Sequence, residues 1–421
     1  MYLTPLNFVY ALWFLRVIKP EWIAAYFVPG LGILKALPTL ILYGLVAYGV
    51  LASRKKLSVD KPYLLFYCVI LASTLLSQNT GRSLIFHRNV LDALLTYVVV
   101  VSFIENSRQL DKLIGIYLVS FVFYGIAGTI YSGRVPFHVA LSDEGALGPF
   151  MAIGLPISFY FSLRSGKVRY RALIVSGVCM LGLIASFARG AFLSACAAGA
   201  FIWVKFKRKA AITIVLLLGV VLFAVIAGSL FEGGKYWAEM MTIGESLQNE
   251  KQEGRHFLNR KGLQIFMKYP ILGAGPGCYG WALPKITSDE EADGRGVYVE
   301  HFYYRVPHNI YIQVLSELGI VGVLSFLVVL VSFWKRNRFI EKSFAGSLRE
   351  EPAGSNGEDA ELTKLHAYSL GLQGALFVYL VNGAFYDILY YHWLPDILIL
   401  NTLCYRLCVE KRLATGSNEP A

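Results

Sequence analysis

The chain has 421 residues, of which 56% are hydrophobic and only 16% are charged, and its formal net charge is +11. Ordinary soluble domains carry about a quarter charged residues, so this composition excludes a soluble globular enzyme and indicates an integral membrane protein. Apolar runs near the length needed to cross a hydrocarbon core about 30 Å thick recur along the chain. Because a helix satisfies its own backbone hydrogen bonds in lipid, the sequence predicts an all-α, polytopic membrane helix bundle.

The first part of the chain, residues 1–53, gives the least regular pattern. Pro20, Pro29 and Pro38 interrupt its apolar run, so we expect one piece to be short or re-entrant. No cleavable signal is evident, since a charged Lys-Pro-Glu stretch at 19–21 follows the apolar start.

Beyond residue 56, apolar runs and basic connections alternate. The runs include 62–78, 113–131, 145–163, 172–187, 190–204, 211–231, 315–334, 367–386 and 393–408. Basic clusters lie in short connections at 54–56, 164–171, 205–209 and 335–338, and the positive-inside tendency assigns these connections to the cytoplasm. We expect about twelve spans, and the positive net charge then reflects topology and requires no nucleic-acid partner.

Two hydrophilic segments differ in kind. The sequence predicts transmembrane helices over 1–231 and 315–408, a large outer loop with short helices over 232–314, and a cytoplasmic tail over 409–421. A second hydrophilic stretch near 335–366, which contains GSLREEPAGSNGEDAE, has the composition of a flexible cytoplasmic linker.

The outer loop contains the features to examine for chemistry. Apolar residues at helical spacing, such as Phe257, Leu258 and Ile265, predict a helix, and the stretch YPILGAGPGCYGW follows it. Its glycines faintly resemble a nucleotide-binding loop, but no parallel strand precedes them. A sharp turn that brings the loop back to the membrane is the favoured interpretation.

Metal and disulfide chemistry have little support in the sequence. The six cysteines are scattered without a C-x-x-C pair, and the seven histidines form no H-E-x-x-H motif. We therefore predict no metal site, no disulfide framework and no cofactor.

Basic residues occur on the side of the membrane where they are normally rare. Arg189 in LIASFARGAFLSAC lies near the outer end of two spans, where an arginine is costly unless it snorkels, pairs with a carboxylate or binds an anion. Other basic residues expected on that side are Arg82, Arg88, Arg134, Arg255, Arg260, Lys261 and Arg305. An anionic ligand explains this excess, and arginine can hold a diphosphate by parallel hydrogen bonds without a metal. Any one of these residues, taken alone, is more often a solvated surface charge than a ligand contact.

His308 adds a titratable group to this surface. A neutral imidazole can accept the proton of a hydroxyl nucleophile, although a lone histidine more often makes a structural hydrogen bond. Asn309 is a plausible helix N-cap, and Gln313 and Glu317 follow one turn apart. Glu317 is expected to orient His308 or an arginine, or to form a simple ion pair.

Three stretches together resemble the O-antigen ligase and O-antigen polymerase superfamily of bacterial envelopes. They are SFARGAF at 186–192, RKGLQIFMKYPILGAGPGCY at 260–279 and PHNIYIQVLSELGIVGVLSFL at 307–327. The third is the most specific, and the resemblance covers about 145–335. The family often has Trp shortly after its loop arginine, whereas this chain has Leu263 and Phe266 there.

The resemblance implies a GT-C-like membrane glycosyltransferase of the inner membrane, with its active site facing the periplasm. The implied donor is a glycan on undecaprenyl diphosphate, held by Arg189 and Arg260, and His308 is the implied general base for the acceptor hydroxyl. From the charge pattern itself, the residues predicted to bind substrate are Arg82, Arg88, Arg255, Arg305 and Glu317. No metal or nucleotide is required.

Three functions remain open at this stage. An O-antigen ligase would transfer the glycan to lipid A-core with inversion, whereas a polymerase would extend an undecaprenyl-linked chain. The length and the single large loop favour the ligase. A transporter or flippase of an anionic lipid would use the arginines for its cargo and the histidine as a proton relay.

Overall fold

A computed structural model describes residues 4–52, 57–164, 170–229, 254–289, 291, 303, 305–350 and 358–414. Every regular element in these ranges is helical, which confirms the all-α prediction. The α-helices, in chain order, are α1 Pro5–Ile18, α2 Pro20–Phe27, α3 Leu37–Ala47, α4 Lys61–Leu75, α5 Thr80–Phe103, α6 Ser107–Ile130, α7 Glu144–Ser162, α8 Tyr170–Ala185, α9 Arg189–Lys205, α10 Lys209–Ser229, α11 Arg255–Lys268, α12 Tyr279–Ala282, α13 Ile310–Glu350, α14 Glu358–Gly383 and α15 Trp393–Ala414.

Among the described residues, five helical stretches are long and apolar enough to cross a membrane. They are Pro29–Ala47, Thr80–Phe103, Ser107–Ile130, Gly145–Ser162 and Ile310–Ala345. Shorter apolar helices occur at Pro5–Ile18, Lys61–Leu75, Ala172–Ala185 and Lys209–Leu222. These helices agree with a multi-pass membrane protein, while the count of about twelve spans stays a prediction.

The prolines that interrupt the first part of the chain begin helices instead of breaking them. Pro20 is the first residue of α2, Pro29 begins a 3₁₀ segment over Pro29–Ala36, and Pro38 is the second residue of α3. Proline is tolerated there because the first N–H groups of a helix have no partner within it. The expected short piece is α2, which has 8 residues.

Helix α7 lies at the centre of the bundle, between α8, α9 and α14. Of its residues Gly145–Ser162, 89% are buried, and Phe150 among them stacks on Phe121 and packs against Trp393. In contrast, α10 exposes most of its leucines and valines, as expected for a helix that faces lipid.

The prediction of a flexible linker near 335–366 is wrong for most of this segment, which is helical. Helix α13 continues to Glu350 and α14 begins at Glu358, whereas residues 351–357 lie outside the described residues. Tertiary contacts stabilise this helical pair: Lys205 Nζ lies 2.7 Å from Glu341 Oε1, and Lys364 Nζ lies 3.0 Å from Asp111 Oδ2. Polar composition suggested disorder, but here the charges pair between helices.

Helix α13 is broken at Gly319, where φ is 64° and ψ is −164°. The break frees backbone groups that the outer loop then satisfies. The N–H of Ile320 donates to the carbonyl of Pro270 at 2.8 Å. The N–H of Val321 donates to the carbonyl of Ile271 at 3.2 Å. The loop thus enters the bundle and supplies the acceptors that helix geometry has lost.

The glycine cluster makes this entry possible. Gly273, Gly275 and Gly277 all have positive φ, between 67° and 106°. A Cβ on Gly273 would lie 2.2 Å from the backbone carbon of Glu317, so only glycine fits there. This geometry supports the predicted sharp turn back to the membrane, because the turn also accepts hydrogen bonds from the N–H of Gln78, between α4 and α5, and from the Ser83 hydroxyl on α5.

Candidate active site

The turn between α14 and α15, residues 384–392, meets the start of α13. His308 precedes α13 and has φ 48°, and the Asn309 side chain caps the helix by accepting from the N–H of Tyr311 at 2.9 Å. Nδ1 of His308 lies 3.7 Å from Oδ1 of Asp387. The His308 side chain is 43% exposed.

The turn is held in place from three sides. The amide of Gln313 accepts from the N–H of Leu389 at 3.4 Å. Asn382, in the last turn of α14, accepts from the Ser194 hydroxyl at 2.5 Å and donates to the Pro149 carbonyl at 3.1 Å. Asp387 therefore lies on a segment fixed to α13, α9 and α7, and the sequence showed no motif for it.

Charges around His308 favour its neutral form. Burial, and then the positive charge of Arg255, lower the pKa of His308 below its ordinary value, and Arg305 acts in the same direction. The negative charge of Asp143 opposes them. Burial and the same Asp143 charge raise the pKa of Asp387 to about 6. A neutral imidazole at neutral pH is the protonation state that a general base requires.

Arg189 begins α9 next to this turn. The backbone before it is in the left-handed region at Phe187, with φ 48°, so the chain reverses sharply between α8 and α9. A Cβ on Gly190 would lie 3.0 Å from the ring of Tyr386 and 3.1 Å from Cβ of Phe385. The helix start that carries Arg189 thus packs on the segment that carries Asp387, and Arg189 itself is half-buried.

Arg260 lies on α11 and faces away from its buried side. Its side chain is 56% exposed, and one of its guanidinium nitrogens lies 3.5 Å from Oε1 of Glu291. The neighbouring Lys261 is 1% exposed and donates from Nζ to Glu291 at 2.6 Å and to the Ile286 carbonyl at 2.9 Å. Arg255, at the first turn of the same helix, is the α11 arginine whose charge acts on His308.

Glu317 occupies a structural position instead of facing His308. Its carboxylate is buried and accepts from the N–H of Tyr279 at 3.2 Å. Its own carbonyl accepts from the N–H of Gly275 at 2.9 Å and from the Ser73 hydroxyl at 3.0 Å. Glu317 therefore anchors the glycine turn, and Asp387 is the carboxylate next to His308.

The two arginines of α5 differ in their surroundings. Nε of Arg82 donates to the Gly277 carbonyl at 2.5 Å, and its guanidinium lies 5.7 Å from the ring centre of Phe86. Arg88 is exposed. The structure thus places Arg82 at the glycine turn, whereas Arg255 and Arg305 are the arginines whose charges lower the pKa of His308.

A cavity of about 440 Å³ lies near Asp143 on the side of the bundle that carries this turn. Ser142, which precedes Asp143, lines it together with Trp22, Ala25, Tyr26, Lys35, Pro136 and Phe137. Nζ of Lys35 lies 4.2 Å from the centre of the Trp22 ring. Aromatic faces beside one cation suit a sugar or lipid that carries negative charge.

The described residues contain no group of three or more His, Cys, Asp or Glu side chains that could hold a metal ion. Within those same ranges, the chemistry of the site rests on one imidazole, one adjacent carboxyl and several guanidinium groups.

The comparison with known protein families gives a match over part of the chain. A family model described as O-antigen ligase matches residues 172–327, which include all three stretches that carry the resemblance. No curated protein matches the chain. Through residues 172–327, the chain is similar to the O-antigen ligase superfamily.

Proposed function

We propose that this protein is an O-antigen ligase, which transfers a glycan from undecaprenyl diphosphate to the lipid A-core of lipopolysaccharide. The family supports a membrane glycosyltransferase of the ligase or polymerase kind that acts on lipid-linked glycans. The observation that carries the proposal is the position of His308, at the end of a membrane helix and 3.7 Å from Asp387, among the charges of Arg255 and Arg305.

The proposed reaction is a single displacement. The acceptor hydroxyl oxygen attacks the anomeric carbon of the donor sugar, and its proton passes to Nε2 of His308. The bond between that carbon and the diphosphate oxygen breaks, and its electron pair leaves with the diphosphate. Attack opposite the leaving group inverts the anomeric configuration.

In this proposal, arginines stabilise the diphosphate leaving group. Arg189 and Arg260 are the residues that the family resemblance assigns to the diphosphate, and a guanidinium can bind phosphate oxygens through two parallel hydrogen bonds. In the described structure Arg260 pairs with Glu291 on the loop surface. We propose that it exchanges this exposed carboxylate for the donor diphosphate, since an exposed ion pair contributes about 1 kcal/mol or less.

The orientation supports a periplasmic reaction. His308, the glycine turn and the 384–392 turn lie at one end of the bundle, whereas the basic clusters at 205–209 and 335–338 lie in or beside the connections at the other end. The positive-inside tendency places the second end in the cytoplasm. The active site would then face the periplasm across the inner membrane.

The aromatic cavity near Asp143 is our candidate for the acceptor. Trp22 and Tyr26 offer ring faces for a sugar, and Lys35 offers a cation for a phosphorylated core. An acceptor bound there would lie on the same side of the bundle as His308 and next to a residue whose charge acts on it.

Purified protein provides the test of this function. It is incubated with an undecaprenyl-diphosphate-linked glycan and lipid A-core, without nucleotide, beside His308→Ala and Arg189→Ala variants whose folding is confirmed. Core-linked glycan from the wild type, lost in both variants, is the expected result. Longer undecaprenyl-linked chains would show a polymerase instead. Equal transfer by the folded variants would contradict the proposed site.

A further inference from the structure

A second cavity, of about 1080 Å³, lies on the cytoplasmic half of α13, beyond the Gly319 break. One wall is a stripe along α13, and the facing walls come from Pro62 at the start of α4 and from Tyr405 on α15. The α13 residues that line it are Leu324, Leu327, Val328, Val331, Ser332, Trp334, Lys335, Arg336, Arg338, Phe339 and Lys342. It is a groove between three helices and is separate from the proposed active site.

The groove changes from apolar to cationic along its length. Leu324, Leu327 and Val331 are between 48% and 56% exposed, whereas Lys335 and Lys342 follow on the same face of the helix. At a rise of about 1.5 Å per residue, the apolar stretch from Leu324 to Val331 covers roughly 10 Å. An acyl chain fits along such a stretch, with its polar end towards the lysines.

Three cations at the polar end are available to a ligand. Lys335, Arg338 and Lys342 are exposed, and within the described part of the chain no carboxylate forms an ion pair with them. Glu341, on the same helix, points elsewhere and pairs with Lys205. The guanidinium of Arg338 lies 4.9 Å from the centre of the Trp334 ring. Among the described residues, these three charges therefore share one face of α13 without a carboxylate that neutralises them.

The fourth cation has a structural role. Arg336 is largely buried, with 12% of its side chain exposed, and it bonds to Asp60 before α4 and to the Thr402 hydroxyl on α15. It ties together the three helices that form the groove. The groove is therefore a fixed feature of the fold, and its free charges are those of the other three residues.

We propose that this groove binds a phospholipid with an anionic headgroup, whose acyl chain lies against Leu324, Leu327 and Val328 and whose phosphate contacts Lys335, Arg338 and Lys342. A cation near a membrane surface favours an anionic lipid, and Trp334 lies where aromatic residues mark the interface. A zwitterionic lipid would leave the excess positive charge uncompensated. A bound lipid would fill the space between α4, α13 and α15.

The test compares two lipids on the purified full-length protein in detergent. Binding of dioleoylphosphatidylglycerol and of dioleoylphosphatidylcholine is measured by native mass spectrometry. We expect the wild type to prefer the anionic lipid by about tenfold or more, from roughly three cations. An equal affinity for the two lipids would overturn the proposal.

Matched variants separate this site from general charge. Lys335→Gln/Lys342→Gln should lower the preference at least fivefold, whereas Lys207→Gln/Arg208→Gln, which removes two exposed charges from another cytoplasmic connection, should leave it unchanged. Equal losses in both pairs would contradict a specific site.

A third variant tests the groove itself. Val328 is 43% exposed, so Val328→Trp should fold, fill the apolar stretch and weaken binding of both lipids. Unchanged binding in this variant, or displacement by undecaprenyl phosphate but not by phosphatidylglycerol, would overturn the assignment. The His308→Ala variant should bind phosphatidylglycerol as the wild type does, so this test is independent of the proposed reaction.

Discussion

Nδ1 of His308 lies 3.7 Å from Oδ1 of Asp387, although the two residues belong to segments on either side of α13 and α14. This distance permits an ion pair once the imidazole takes up a proton. Asp387 would thus stabilise the imidazolium that forms during transfer, and it would orient the ring so that Nε2 faces the acceptor.

Substitutions at this pair should have unequal effects on transfer. We expect His308→Ala to lower kcat by about 100-fold or more, since general bases contribute on the order of 10² to 10⁴ in rate. Asp387→Asn should lower kcat by roughly tenfold and leave the KM for the donor within about twofold, because the base remains but loses its partner. Initial rates with the undecaprenyl-linked donor measure both effects.

The matched control for this pair is Asp289→Asn, which changes an exposed carboxyl of the outer loop that carries His308. It should retain the wild-type rate. A folded Asp387→Asn variant that transfers as fast as this control would show that the 3.7 Å contact has no role in the reaction.

Much of this site could be predicted from the sequence. The sequence pointed to Arg189, Arg255 and Arg305 because cations are rare on the outer side of a membrane protein, and to His308 because a neutral imidazole can accept a proton, and their roles stay predictions. The glycine turn was also predicted, since closely spaced Gly and Pro residues favour a sharp turn. Asp387 was missed, because an acidic residue in an aromatic turn has no local pattern that marks it.

The errors have a common physical cause. Glu317 was expected to orient His308 or an arginine, or to form an ion pair, because it follows His308 near the same end of the span, but a buried carboxylate needs hydrogen-bond donors, and it finds one in the N–H of Tyr279. The segment 335–366 was expected to be flexible from its charge. Contacts such as that between Lys205 and Glu341 connect residues far apart in the chain, and composition does not reveal them.

The pH dependence of transfer should report the charge of Arg255. The pKa of His308 is lowered by burial and by Arg255, so its neutral, active form persists below the ordinary value of 6.5. Activity should fall on acidification only as the pH passes this lowered pKa. In Arg255→Gln the positive charge is gone, the pKa of His308 rises, and the acid limb of the kcat/KM profile should move to higher pH.

The charge-conserving variant is the control for this shift. Arg255→Lys should keep the acid limb close to that of the wild type, whereas Arg305→Gln should move it in the same direction as Arg255→Gln but less far. An acid limb that stays at the same pH in Arg255→Gln would contradict the electrostatic coupling between α11 and His308.

The break in α13 predicts that one methyl group added at Gly273 strongly destabilises the protein. Gly273→Ala would place a Cβ 2.2 Å from the backbone carbon of Glu317, at a residue with φ 68°. Neither backbone segment can move away without losing the hydrogen bonds between the outer loop and the N–H groups freed by the break at Gly319. We expect a loss of at least several kcal/mol of stability, or failure to fold, seen as a much lower apparent Tm in detergent.

Gly115→Ala is the matched control for that substitution. Gly115 is inside helix α6, and nothing lies within 4 Å of the Cβ that alanine would add. Alanine should therefore be neutral or stabilise the helix by up to about 1 kcal/mol. A Gly273→Ala protein as stable as Gly115→Ala would show that the loop does not dock into the break.

Adjacent residues of α11 should separate substrate binding from folding. Lys261 is 1% exposed and holds Glu291 and the Ile286 carbonyl, so Lys261→Met should destabilise the outer loop by about 1 to 3 kcal/mol. Arg260 is 56% exposed, and its ion pair with Glu291 is worth about 1 kcal/mol or less, so Arg260→Gln should leave the apparent Tm nearly unchanged.

If Arg260 binds the donor diphosphate, that variant should instead raise the KM for the donor about tenfold or lower kcat by a similar factor, because a bidentate charged contact is lost. Thermal unfolding and donor titration on the same two preparations distinguish the residues. A stable Arg260→Gln protein with wild-type kinetics would assign the diphosphate to other cations. The candidates are Arg189, at the helix start that packs on the 384–392 turn, and Arg255, whose charge acts on His308.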